Sequence, residues 1–123
     1  MIKVCSGFSP SGRIQYGERF LKSFDKHWPK DVALEVYVEE MFDMPRGAQR
    51  SLWDCEGAAE FVERHKYDER VHGRSAMPKW KEKEIRAGYS FRHDAMKFFK
   101  QILIPRQAAK GMNDGDILIW LDG

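Results

Sequence analysis

Apolar and polar positions change period several times along the chain, and each change marks an element. Ile2 to Phe8 is a short apolar run interrupted by Gly7 and closed by the turn cluster Ser9-Pro10-Ser11-Gly12, which predicts a strand. Ile14, Gly17, Phe20, Leu21, Phe24 and Trp28 then recur at three- and four-residue steps, the spacing of one buried helical stripe. Ser11 is placed to cap that helix, and Pro29 stops it. Leu34, Val36 and Val38 alternate with Glu35, Tyr37 and Glu39, the period of a second strand with one more polar face. Strand, helix, strand in this order implies a right-handed crossover and a parallel pair.

The middle is less regular. Met41 to Trp53 contains Pro45 and Gly47 and reads as a loop, after which Asp54 is placed to cap a helix carrying Ala58, Phe61, Val62 and His65. Tyr67 to Gly88 is dominated by charge and broken by Gly73, Pro78 and Gly88, so loop with short helical pieces is expected. Ser90 opens a further helix whose inner face is Phe91, Ala95, Phe98, Phe99 and Ile102. Pro105 should kink or restart it, and Gly111 ends it. Asn113-Asp114-Gly115 turns the chain into Asp116-Ile117-Leu118-Ile119-Trp120-Leu121-Asp122-Gly123. That unbroken apolar run fits a central strand of a parallel sheet, buried on both faces, with Asp122 at its carboxyl end.

Composition narrows the class. A length of 123 residues allows one α/β domain over 1–123, and the 42% hydrophobic and 13% aromatic shares are those of a globular chain. A net charge of +2 draws the molecule strongly to neither nucleic acid nor membrane. No apolar stretch approaches the roughly 20 residues that span a bilayer, and Met1 to Val4 enter a strand without a signal-peptide core, so a soluble cytoplasmic protein is expected. Cys5 and Cys55, the first on a strand and the second on a helix, lack metal-ligand spacing and read as reduced, packed thiols.

Candidate chemistry gathers at the strand ends, where open α/β sheets bind ligands. Ser6, Gly7, Phe8 and Ser9 lead into a helix N-terminus, which is either an ordinary turn or an anion site of backbone N–H groups. Glu39 and Glu40 end the second strand; either one of them accepts from a base or ribose, or both are solvated. Asp122 can hold a hard cation against phosphate oxygens or serve as a cap. His27, His65, His72 and His93 show no ligand spacing, and His93-Asp94 point apart on a helix. Ser6, Ser9 and Ser11 lack a nucleophile elbow.

Phe8-Ser9-Pro10, Tyr16 to Phe24, the strand Leu34 to Glu40, and Phe91 to Phe98 before Ile119-Trp120-Leu121-Asp122-Gly123 occur in that order. Together they resemble the N-terminal, nucleotide-binding half of a GT-A fold glycosyltransferase of the kind found among bacterial and phage-encoded proteins. The likeness spans nearly the whole chain except roughly 41–89. It implies a three-layer, Rossmann-like sheet, mainly parallel, with the final strand beside the first and the second on the first strand's other side. It also implies a nucleoside diphosphate sugar as donor, with Mn²⁺ or Mg²⁺ held by an Asp-x-Asp motif of which Asp122 is the first member. Phe8 and Ser9 would line the nucleotide pocket, Glu39 would approach base or ribose, and Arg92 and Lys97 would face the diphosphate. The acceptor-binding half and any catalytic base would lie beyond Gly123, so activity from this portion alone is not expected. A sheet cut there should be covered by a second copy or a protein partner.

The rival is a non-catalytic interaction protein using segment 64–92. It interleaves Arg70, Arg74, Lys79, Lys81, Lys83 and Arg86 with Tyr67, Trp80 and Tyr89, which suits stacked, phosphate-bearing strands or a protein partner. Glu69, Glu82 and Glu84 dilute that charge and argue against nucleic acid.

Overall fold

The computed structural model describes residues 1–74, 89 and 91–122. The first apolar run forms β1 (Ile2–Phe8), and its side chains alternate between two separate cores. Val4 and Phe8 join Leu34, Val36 and Val38 of β2 (Ala33–Val38) beneath Leu21 and Phe24 of helix α2 (Glu18–His27). Cys5 and Tyr37 point the other way, toward Ala58 of helix α3 (Ala58–His65) and Ile104 and Ala108 of helix α5 (Lys100–Ala109). Helices therefore cover both faces of the sheet, and the fold is α/β in three layers. Among the described residues every strand pair is parallel, in the order β3 (Ala48–Ser51), β2, β1, β4 (Ile117–Trp120), with Val4 opposite Leu34 on one side and Ile119 of β4 on the other. The final strand does lie beside the first, as expected.

Several local expectations shift. The first helical run is capped by Ser9 rather than Ser11: Ser9 Oγ accepts from the Gly12 N–H at 3.1 Å, ahead of the short turn α1 (Pro10–Gly12). A π-helical turn, Arg13–Gly17, follows and puts the stripe out of phase. Ile14 consequently swings out, 70% exposed, while Leu21 and Phe24 stay inside. Gly17 permits this close approach, since a Cβ there would stand 3.1 Å from the Phe8 ring.

The expected loop before Trp53 contains a strand, β3 (Ala48–Ser51). Its sequence, AQRS, carries no apolar alternation because it is a short edge strand beside β2. Gly47 enters it at a φ of 97°, and Gln49 exchanges hydrogen bonds with the Phe42 backbone in both directions. Asp54 lies in a 3₁₀ turn, Leu52–Asp54, and Gly57, not Asp54, occupies the cap position of α3.

The late helix is split into a 3₁₀ turn, Phe91–His93, then α4 (Ala95–Phe98) capped by Asp94, then α5. Ser90 lies outside the described residues. Pro105 sits inside α5 and the interruption falls earlier, at Phe99. Phe99, Ile104 and Ala108 are buried, whereas Phe91 and Ile102 are exposed at 58% and 71%. Asn113 to Gly115 form the expected turn: Gly115 has a φ of 90° and the Asn113 N–H donates to Asp116 Oδ2 at 2.8 Å. Among the described residues β4 is an edge strand rather than a central one, with Ile117 half-exposed. No helix among them is long and apolar enough to cross a membrane.

Cys5 and Cys55 are free and buried, Cys55 in the turn before α3 rather than on the helix. Burial, first among the causes, pushes both thiols up to about 11. The thiolate is the reactive form, so each should alkylate about 100-fold more slowly than a free cysteine at neutral pH. Iodoacetamide labelling followed by mass spectrometry is expected to modify neither in the native protein and both in denaturant. Rapid native labelling would contradict the packing described.

Candidate functional site

The path of the chain creates one privileged position. From β1 it steps outward to β2 and β3, then returns to β4 on the opposite side of β1. Strand order reverses between β1 and β4, and ligands of open parallel sheets bind in the crevice beyond the carboxyl ends of strands flanking such a reversal. A cleft of about 600 Å³ opens there, bounded by Gly7 and Ser9 after β1 and by Trp120 and Asp122 after β4.

Each wall has a local cause. At Gly7, a Cβ would stand 2.6 Å from Ile104 Cδ1, so the missing side chain lets α5 close against the strand end. Ser6, fully buried, donates from Oγ to the Leu121 carbonyl at 2.7 Å, and the Leu121 N–H donates to the Cys5 carbonyl at 3.1 Å. These bonds fix the backbone that carries Asp122. Tyr16, 41% exposed, stands on the wall with the Phe8 ring edge-on behind it at 6.0 Å.

The opposite wall comes from α4 and α5. Lys97 and Lys100 both reach the cleft, and the Lys97 ammonium lies 5.6 Å from the centroids of the Tyr89 and Phe91 rings. Buried Asp94 holds this corner by accepting from the Lys97 N–H at 3.3 Å and from the Tyr89 hydroxyl at 2.5 Å. Burial, then the bond to Asp94, raises the Tyr89 phenol above its ordinary range and keeps it a donor. The Lys100 ammonium donates to Glu39 Oε1 at 2.7 Å.

The structure thus brings Ser9, Lys97 and Asp122 together on one cleft. Phe8 is 2% exposed and supports the wall from the core rather than lining it. Glu39, at the end of β2, is engaged with Lys100, while Arg92 sits exposed on the 3₁₀ turn and is not among the lining residues. Lys100, Tyr16, Phe91 and Trp120 line the cleft without having been singled out. The spacing of Lys97 and Lys100, three apart on a helical pattern, was a readable sign that two cations share a face.

The helix start offers an anion less than its position promises. Pro10 has no N–H, the Gly12 N–H is taken by Ser9 Oγ, and the Arg13 N–H goes to the Ser9 carbonyl at 2.9 Å. Anion affinity must come chiefly from the lysines. For a divalent cation, Asp122 is the one carboxylate among the described lining residues, and no group of three or more His, Cys, Asp or Glu side chains converges among the described residues. One carboxylate fits a cation that arrives with phosphate oxygens and water in its shell, not a fully protein-built site.

In segment 64–92, four of the described cations are paired locally with carboxylates. Arg64 pairs with Glu60 and Lys66 with Glu63, both at 2.9 Å, Arg70 with Asp68 at 3.1 Å, and Arg74 with Glu69 at 3.9 Å. The bond from Arg70 holds the Asp68 carboxyl below its usual range. Lys79, Trp80, Lys81, Lys83 and Arg86 lie outside the described residues. No family model, curated protein or solved structure matches the chain.

Proposed function

We propose that the cleft between β1 and β4 binds a nucleoside diphosphate sugar, as the donor-binding portion of a glycosyltransferase of GT-A type. The observation that carries this reading is the coincidence of the strand-order reversal with two lysines, exposed aromatic rings and one terminal carboxylate around the same space. Lys97 and Lys100 suit phosphate oxygens, Tyr16 or Phe91 offers a face for a base, and Asp122 suits Mn²⁺ or Mg²⁺ delivered with the diphosphate. The resemblance of the strand and helix blocks to that family supports the same reading. The buried, reduced thiols support a cytoplasmic setting, and the half-exposed β4 edge supports a homodimer or a protein partner.

Calorimetric titration with nucleoside diphosphates, with and without Mn²⁺, tests this. Binding is expected to be weak, with Kd about 1 mM without metal. Mn²⁺ should tighten it by about tenfold, and Asp122→Asn should remove that gain. Absence of heat at high ligand concentration would sink the reading, and equal heats with and without Mn²⁺ would remove the cation from it.

A further inference from the structure

Glu39 and Lys100 stand 61 residues apart, at the end of β2 and the start of α5, yet meet at 2.7 Å beside the cleft. Only Lys100 reaches the cleft wall. We propose that Glu39 is a positioning residue that tethers the Lys100 ammonium at the cleft and, through its own charge, sets how strongly the cleft attracts phosphate groups. The proposal deepens the diphosphate reading above and rests on it.

The pair is sheltered, with side chains 17% and 30% exposed for Lys100 and Glu39. Salt screens such a pair less than a surface pair, and removing one member strands the other's charge, so the contact persists when a ligand arrives. An ammonium has three donors. Glu39 occupies one and leaves the others for a phosphate oxygen, so the tether aims Lys100 without competing for every bond. The electrostatic consequence differs from the geometric one. Lys97 and Lys100 are the described cations on the wall, and Asp122 on the wall with Glu39 behind it offsets them. The net field at the cleft is small, and a bare polyphosphate gains little on entering. A phosphate group accompanied by a divalent cation brings its own neutralisation and suits such a wall. Glu39 therefore biases the cleft toward cation-bound over cation-free phosphate.

Glu39→Gln separates the two roles, because the amide oxygen still accepts from Lys100 while the negative charge is gone. The probe is inorganic pyrophosphate at low salt, titrated calorimetrically with and without Mg²⁺. Without the cation, Glu39→Gln is expected to bind about tenfold more tightly than the wild-type chain, with a steeper loss on adding salt. With Mg²⁺ the two should converge. Cation-free binding by the variant no tighter than the wild type's, binding by neither included, overturns the role of Glu39 and, where Mg²⁺-pyrophosphate binds, leaves the cleft reading standing. No pyrophosphate binding by either protein, with or without Mg²⁺, overturns both. Lys100→Gln supplies an independent measurement if Glu39→Gln does not fold. It is expected to lose about tenfold in Mg²⁺-pyrophosphate affinity, and an unchanged affinity overturns the proposal.

Discussion

Phe24→Ala is expected to lower the unfolding free energy by about 3–5 kcal/mol. The ring is 1% exposed, stacks on Trp28 at 5.0 Å and meets Phe20 at 6.1 Å. It also carries the Arg46 guanidinium 4.9 Å from its centroid, and that group donates to the carbonyls of Trp28 and Val32 at 3.1 and 2.6 Å. Truncation therefore opens a cavity under the sheet and removes the platform on which Arg46 ties the segment before β3 to the turn before β2. Against a total of about 5–15 kcal/mol for a domain, the loss is large. Urea unfolding followed by circular dichroism measures it. Ile14→Ala, at a 70% exposed position, serves as control and should stay within about 0.5 kcal/mol. A Phe24→Ala loss below about 1 kcal/mol would contradict the packing.

Glu35→Leu is expected to cost a similar amount, about 3–5 kcal/mol, for an electrostatic reason. The Glu35 carboxylate is buried on the opposite face, 3.3 Å from Lys3 Nζ and 3.7 Å from Arg50 Nε, and it accepts from the Tyr37 hydroxyl. Burial, and after it the bond to Glu35, raises the Tyr37 phenol far above its ordinary range, so this hydroxyl remains a donor. Leucine would strand the Tyr37 hydroxyl and leave the Lys3 ammonium, 14% exposed, with the Ala108 carbonyl at 3.1 Å as its acceptor. Adding Lys3→Met should recover part of the loss, because apolar replacement of both partners avoids the stranded charge. Denaturation of the two variants side by side decides this. A Glu35→Leu protein as stable as the wild type would mean that the network contributes nothing.

The elements that the sequence announced are those whose pattern reports burial. The runs Ile2–Phe8 and Ala33–Val38, with the helix carrying Leu21 and Phe24, form the elements their periods require, except that the more polar face of the second strand, Glu35 and Tyr37, is buried as well. The strand Ala48–Ser51 was illegible because an edge strand of four mostly polar residues shows no period. Ile14 misled because a π-helical turn breaks the 3.6-residue repeat without any local sequence mark. At the cleft, Ser9 and Asp122 were legible from their places at element ends, which need no tertiary knowledge, whereas Lys97 followed only from the resemblance. The bond between Glu39 and Lys100 was not, since it joins elements 61 residues apart.

The parallel arrangement of β1 and β4 also dictates when the cleft can exist. Ser6 and Leu121, whose hydrogen bond secures the strand end beside Asp122, are separated by 115 residues. Closing a loop of that length carries its entropic cost before the contact returns anything, and chains rich in such contacts fold slowly. β1 and β2 can pair around α2 while β4 is still absent from the sheet, whereas the cleft is completed only when β4 docks beside β1. During that interval β1 offers a bare strand edge to any neighbouring chain, so folding yield should fall with protein concentration more steeply than native stability alone would indicate.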